Sequence, residues 1–253
     1  MPTDEAMIQR KAKDYLVFAL DVPSAAATEP LVERLAGAVG MFKIGLELFV
    51  REGPAVVALV RRHGGARIFL DLKLHDIPAT VRRAMAAAAA LDVDFVTVHC
   101  GESAAMLQAA VEGAGGRVKV LGVTVLTSVA PADLKAAGLR PELAENPGNL
   151  VLARAAMAAD AGCAGVVCAG HELGMLKRRF GTRLLAVVPG IRPDVETVAA
   201  DDQRRVVTPA AAVAAGADYL VVGRPIRDAP DPRQAASAIT GEIAGAMAAP
   251  GDR

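Results

Sequence analysis

Apolar residues in this chain fall into short β-branched runs that alternate with longer, Ala-rich stretches from one end to the other. The short runs predict strands over 15–21, 41–45, 67–71, 95–99, 118–126, 165–169, 184–188 and 219–223. Between and after them, helical spacing predicts helices over 25–38, 48–63, 78–91, 103–113, 150–161, 172–180, 209–215 and 234–246. The strands are apolar almost throughout, as expected of a parallel sheet covered on both faces. Strict alternation of strand and helix implies βαβ units and not hairpins. Eight such units in 253 residues favour a closed (β/α)8 TIM barrel over an open doubly wound sheet. No linker or shift of composition divides the chain. The pattern therefore predicts one barrel domain over 1–253, with a short N-terminal extension (about 1–13) and a frayed tail (about 249–253). The alanine run 86–90 fits a helix packed closely by small side chains, where helix propensity is also highest.

Composition narrows the class. Hydrophobic residues make up 53% of the chain, which excludes intrinsic disorder, because enough surface can be buried to offset the entropy of ordering. The 28 basic and 28 acidic side chains cancel, leaving no basic footprint for nucleic acid. The opening MPTDEAMIQRKAKD lacks the apolar core of a signal peptide, and the most apolar region, 151–169, is interrupted by Arg154 and Asp160. Cys100, Cys163 and Cys168 cannot all pair within one chain and are expected to be buried free thiols. A cytoplasmic protein with no nucleic-acid or membrane partner is expected.

In a barrel of this kind the chemistry lies at the C-terminal ends of the strands. Asp21, His99, and Thr127 with Ser128 stand at or just beyond the predicted ends of strands one, four and five, and strand two carries Lys43. The third strand runs into Asp71-Leu72-Lys73-Leu74-His75-Asp76-Ile77-Pro78. An Asp-x-Lys pair on an extended strand puts both side chains on one face. Asp76 falls on the following turn, and Pro78 suits the first turn of a helix. Two carboxylates beside one lysine keep it protonated, giving a fixed proton donor among negative charges. A buried ion-pair network that merely specifies packing is the competing account of the same three residues. His75 is expected to point away from Lys73. Neither a zinc-binding histidine pattern nor a nucleotide-binding glycine motif occurs.

After strands seven and eight, Gly190 with Arg192 and Gly223 with Arg224 occupy the loops that bind phosphate in such barrels. Arg is suited to a terminal phosphate because its planar fork bonds two oxygens at once. Gly-Arg-Pro is also ordinary turn chemistry, so the placement in both loops carries the signal. The segment 190–205 is long and aperiodic, as binding loops are, and Gln203 within it can both donate and accept.

The segments LDVP, FKIG, D-x-K-x-x-D running into IPAT, VTVLTS, VPGIRP, DDQRR and VVGRPI occur in this order between about Asp14 and Ile239. Together they resemble the bacterial orotidine 5′-phosphate decarboxylase family. The resemblance implies decarboxylation of orotidine 5′-monophosphate to uridine 5′-monophosphate, the last step of de novo pyrimidine nucleotide synthesis, with neither metal nor organic cofactor. It implies that Lys73 protonates C6 and that Asp71 sits beside the substrate carboxylate. Asp21 and Lys43 would hold the ribose hydroxyls, with Lys43 also extending the catalytic charged network of Asp71, Lys73 and Asp76. Thr127, with Ser128, would lie near the pyrimidine. Arg192, Gln203, Gly223 and Arg224 would grip the 5′-phosphate. Asp76 and Thr80 would reach into the partner's site across a homodimer interface. D-x-K-x-x-D is shared with a related decarboxylase of a 3-keto-hexulonate phosphate. That enzyme holds magnesium with carboxylates, one of them a Glu where this chain has Lys43. A non-catalytic phosphosugar-binding barrel would lack Lys73.

Overall fold

The computed structural model describes residues 10–101, 103–193 and 206–248. Eight parallel strands close into a barrel in the order β1 to β8: Leu16–Leu20, Met41–Gly45, Arg67–Leu74, Phe95–His99, Lys119–Val123, Gly165–Val167, Leu185–Val188 and Tyr219–Val222. Pairing of β1 with β8, from Leu16↔Leu220 to Phe18↔Val222, completes the ring. The helices that cover it are α1 (Ala25–Leu35), α2 (Leu46–Glu52), α3 (Ala55–Gly64), α4 (Pro78–Ala89), α5 (Ala104–Ala114) and α6 (Pro131–Ala136). They continue as α7 (Pro141–Ala144), α8 (Pro147–Asp160), α9 (Leu173–Phe180), α10 (Pro209–Ala214), α11 (Arg224–Arg227) and α12 (Pro232–Ala248). No helix among the described residues is long and apolar enough to cross a membrane.

Strand alternation sorts the core into two compartments. Residues such as Phe18, Phe42, Leu70 and Val96 point outward and pack under the helices. Their neighbours Val17, Met41, Phe69, Phe95, Leu121, Val187 and Tyr219 fill the barrel. Inside, Phe95 meets Tyr219 and Phe69 edge-on, with ring centroids 5.0 and 5.9 Å apart, a geometry that favours aromatic pairs by roughly 0.5–1.5 kcal/mol each. Cys100, Cys163 and Cys168 are buried free thiols; burial pushes the Cys100 and Cys163 thiols up to about 12. At the base of the barrel Arg10 stacks on Tyr15 and Tyr219 and donates to the carbonyl of Asp218.

Four departures from the expected elements have local causes. The helix expected over 48–63 is two, because Gly53 takes a φ of +63° before Pro54 and breaks it. The fifth strand stops at Val123, where the Thr124 hydroxyl donates to the Val167 carbonyl and the chain turns away. The third strand continues past Asp71 to Leu74 through an irregularity described below. Short helices α6, α7 and α11 carry too few residues for a periodic signal. At Gly113 on α5, an added Cβ would collide with the Arg82 carbonyl, so the backbones of α4 and α5 touch there. On α4, Ala88 and Ala89 of the alanine run are buried.

Candidate active site

The barrel interior is apolar through its middle and becomes charged at the C-terminal ends of β1, β2 and β3. The Lys43 ammonium lies 3.2 Å from Asp21 Oδ1 and 3.6 Å from Asp71 Oδ2, and Lys73 Nζ donates to that same Asp71 oxygen at 2.8 Å. Signs therefore alternate around three neighbouring strands: Asp21, Lys43, Asp71, Lys73. Lys43 is 8% exposed and Asp71 9%, so an unpaired charge at either position would cost several kcal/mol. Burial alone would raise the Asp71 carboxyl. The Lys43 and Lys73 ammoniums and the hydrogen bonds from Lys73 and Thr97 outweigh it and hold the group below its ordinary value.

Asp71 and Lys73 do share a face, but not on a regular strand. Pairing of β3 with β4 passes from Leu70↔Val96 to Leu74↔Val98, so Asp71, Leu72 and Lys73 stand opposite Thr97 alone. Two extra residues preserve the inward–outward parity and bulge the strand. Lys73 takes a φ of +50°, which a non-glycine residue adopts at a cost of about 1–3 kcal/mol and which concentrates at functional sites.

The network borders a cavity of about 400 Å³, room for a small-molecule ligand. Asp21, Lys43, Asp71, Lys73, Thr127, Gly190, Arg192, Gly223 and Arg224 all line it. Because β8 adjoins β1, these charges form one continuous arc running from the β7 loop (Arg192) through the β8 loop (Gly223, Arg224) to β1, β2 and β3. The opposite wall is apolar, made by Val123, Val125, Leu126 and Val167. Gly223 suits its place: a Cβ there would press within 3.3 Å of Asp21 Oδ2. Arg192 is anchored by its own N–H, which donates to the Val207 carbonyl beside the Ile191↔Val207 bridge.

Three expected residues lie elsewhere. The chain leaves β3 at Leu74, and Asp76 lands on the exposed turn before α4, where its Oδ1 accepts from the Ile77 N–H at 2.6 Å. Within one chain the second carboxylate of the charged network is thus Asp21, not Asp76. Thr80 sits in the first turn of α4, and Ser128 is exposed beside Thr127; neither lines the cavity. Gln203 and the charged residues Asp194, Glu196, Asp201, Asp202, Arg204 and Arg205 lie outside the described residues.

Sequence reasoning missed Thr97 and Arg227. Thr97 is two residues before His99 on the same inward face, so the period of two in β4 pointed to it. Arg227 lines the cavity and donates to the Asp21 carbonyl at 2.8 Å, one turn after Arg224 in GRPIR. His75 and His99 pair their rings at 5.6 Å and line a neighbouring cavity, separated from the first by Val125 and Leu126, which border both. Among the described residues, one trio with metal-ligating atoms comes together, Glu29, Glu33 and His63, on the outer helices α1 and α3. Its two imidazole nitrogens face different glutamates, at 3.2 and 2.9 Å.

Comparison with known proteins gives a consistent result. Residues 14–239 match the family described as orotidine 5′-phosphate decarboxylase / HUMPS. An orotidine 5′-phosphate decarboxylase of Desulfosudis oleivorans is 53% identical over 248 residues, covering 98% of this chain and all of the relative. That of Moorella thermoacetica is 44% identical, covering 94% of this chain and 96% of the relative. Among solved structures, the orotidine 5′-phosphate decarboxylase of Lactobacillus acidophilus superposes with a TM-score of 0.76 at 34% identity, covering 90% of this chain and 98% of its own. The enzyme of Pyrococcus horikoshii superposes with a TM-score of 0.70 at 26% identity, covering 91% and 99%.

Proposed function

Because the chain belongs to the orotidine 5′-phosphate decarboxylase / HUMPS family, we propose that its barrel mouth decarboxylates orotidine 5′-monophosphate with Lys73 as the proton donor to C6. The protein is a carboxy-lyase of the last step of de novo pyrimidine nucleotide synthesis.

The observation that carries the site assignment is the order of groups along the charged arc. A nucleotide is a phosphate, a ribose and a base in line, and the cavity offers arginines, then Asp21 with Lys43, then Asp71 with Lys73. Arg192, Arg224 and the Gly223 backbone take the 5′-phosphate, with Gln203 assigned to the same group by resemblance. Asp21 and Lys43 take the ribose hydroxyls. The apolar wall of Val123, Val125 and Leu126 receives the pyrimidine, with Thr127 at its rim.

When the C6–carboxylate bond breaks, its electron pair stays on C6 in the plane of the ring, where the π system cannot spread it. A cation fixed at that point stabilises the developing charge without reorganising. The Lys73 ammonium is such a cation, held by Asp71, and it passes one proton to C6 as carbon dioxide leaves. Asp71, kept ionised by two lysines, stands beside the substrate carboxylate. Phosphate contacts remote from C6 supply binding energy that holds the reacting end in place.

Asp76 and Thr80 act in the partner's site of a homodimer. Their position outside their own cavity supports this, Asp76 exposed and Thr80 half-buried, as do the exposed apolar side chains of Ile77 (67%), next to Asp76, and of Leu46 (53%) and Val50 (75%) on α2. The enzyme works in the cytoplasm and needs neither metal nor organic cofactor. One assay tests the core of this reading: loss of the orotate absorbance by purified protein in EDTA. Absence of turnover refutes it, and turnover that appears only on adding magnesium points to the metal-dependent relative instead.

A further inference from the structure

Where β3 bulges, a single residue of β4 faces both Asp71 and Lys73. Thr97 is fully buried, on the inward face one strand over, and it does not line the substrate cavity. Its Oγ1 accepts from the backbone N–H of Lys73 at 2.9 Å and lies 2.9 Å from Asp71 Oδ1. The direction of the second bond is forced. A backbone N–H can only donate, so the one hydroxyl proton goes to the carboxylate. Asp71 is thereby divided between two duties: Oδ1 is held by Thr97, and Oδ2 is left to face both ammoniums.

The geometry points to Thr97 as a positioning residue of the decarboxylation, one hydroxyl that fixes both the carboxylate orientation and the left-handed backbone from which Lys73 projects. A β-branched side chain suits the task, since its χ1 is stiff and the hydroxyl cannot swing away cheaply. The bulge takes Lys73 out of the even ladder, and Thr97 Oγ1 takes up its N–H. Without the hydroxyl, Asp71 is free to rotate and Lys73 to relax towards an ordinary strand conformation. The ammonium then sits in a different place relative to C6, while the phosphate contacts stay intact and Lys43 keeps its pair with Asp21 at 3.2 Å.

This inference rests on the assignment of Lys73 as proton donor, and the test separates the two. Thr97→Val keeps the shape and removes the hydroxyl; Thr97→Ser keeps the hydroxyl. Displacement of a reacting group by about 1 Å costs on the order of 100-fold. For Thr97→Val, kcat is expected to fall about 10- to 100-fold with KM changed less than about threefold, and Thr97→Ser is expected to recover most of the loss. The acid limb of the pH–rate profile should also move to higher pH in Thr97→Val, because Asp71 loses a hydrogen bond to its charged form. If Thr97→Val fails to fold in urea and circular-dichroism measurements, Thr97→Cys, similar in size with a weak donor, is assayed against Thr97→Ser with the same expectations. Wild-type kcat in the hydroxyl-free variant, or a loss that Thr97→Ser shares in full, overturns the positioning role. An inactive wild type, or an active Lys73→Met, overturns the parent assignment instead.

Discussion

Removal of the Lys73 charge should separate chemistry from stability. In Lys73→Met the stem remains and the ammonium goes. Its pair with Asp71, at 2.8 Å, corresponds to about 6 kcal/mol of Coulomb energy at an effective dielectric of about 20. Little of that is net, because the Lys73 side chain is 33% exposed and water competes for it. Asp71 also keeps Lys43 at 3.6 Å and the Thr97 hydroxyl at 2.9 Å, so it is not orphaned. Folding stability is therefore expected to fall by only about 1–2 kcal/mol. The chemical loss is far larger. A positioned proton donor contributes roughly 10²–10⁴-fold, and a preorganised charge at the developing anion roughly another 10²–10³-fold. A kcat reduction of at least about 10⁴ follows, or more than about 5 kcal/mol of barrier. Orotate absorbance measures the first quantity, urea unfolding the second, and calorimetric titration with uridine 5′-monophosphate shows whether the site still binds. A variant that keeps more than about one hundredth of wild-type kcat refutes the proton-donor role. One that loses activity together with its fold or its nucleotide binding refutes the separation.

Two further predictions concern the subunit boundary and the histidine pair. Mixing inactive Lys73→Ala with inactive Asp76→Ala subunits should restore about a quarter or less of wild-type turnover through heterodimers carrying one intact site; no recovery after demonstrated subunit exchange counts against Asp76 acting in trans. Burial, reinforced by His75, Lys73 and Arg154, holds the His99 imidazole below its ordinary value. The unfolded chain then takes up a proton first as pH drops below about 6.5, so the folded state loses stability on acidification through that range. His99→Gln should flatten this fall, measured by urea unfolding at several pH values; an unchanged slope would show that other groups dominate.

The strand ends were legible because two independent signals coincide there. Apolar runs fix where a strand can lie, and the first polar residue beyond a run marks the mouth of the barrel, which is how Asp21, Arg192 and Arg224 could be found together. Lys43 stood out as the one charge inside the apolar run of the second strand. The D-x-K spacing gave the correct shared face for Asp71 and Lys73, although the strand that carries them is bulged and its lysine is left-handed. An even number of extra residues leaves parity untouched, so alternation cannot reveal them. Thr97 escaped notice because threonine is common in strands, and its meaning comes only from standing opposite three residues at once. Arg227 and α11 were missed for a similar reason, since four helical residues make no periodic pattern.

The linear chain by itself determined the alternation of eight strands and helices and the set of charges placed at or near the strand ends. Those follow from local periodicity and from the rule that polar groups avoid apolar runs. Which apolar residues fill the barrel and which pack under the helices was not legible, since the strands are apolar on both faces. Tertiary structure alone decided who pairs with whom: Lys43 between Asp21 and Asp71, Thr97 between a carboxylate and a backbone N–H, Asp76 turned away from its own cavity. Such pairings depend on closure and on register between strands far apart in sequence. The free energy of a charge depends on what faces it at about 3 Å, and sequence distance carries no information about that.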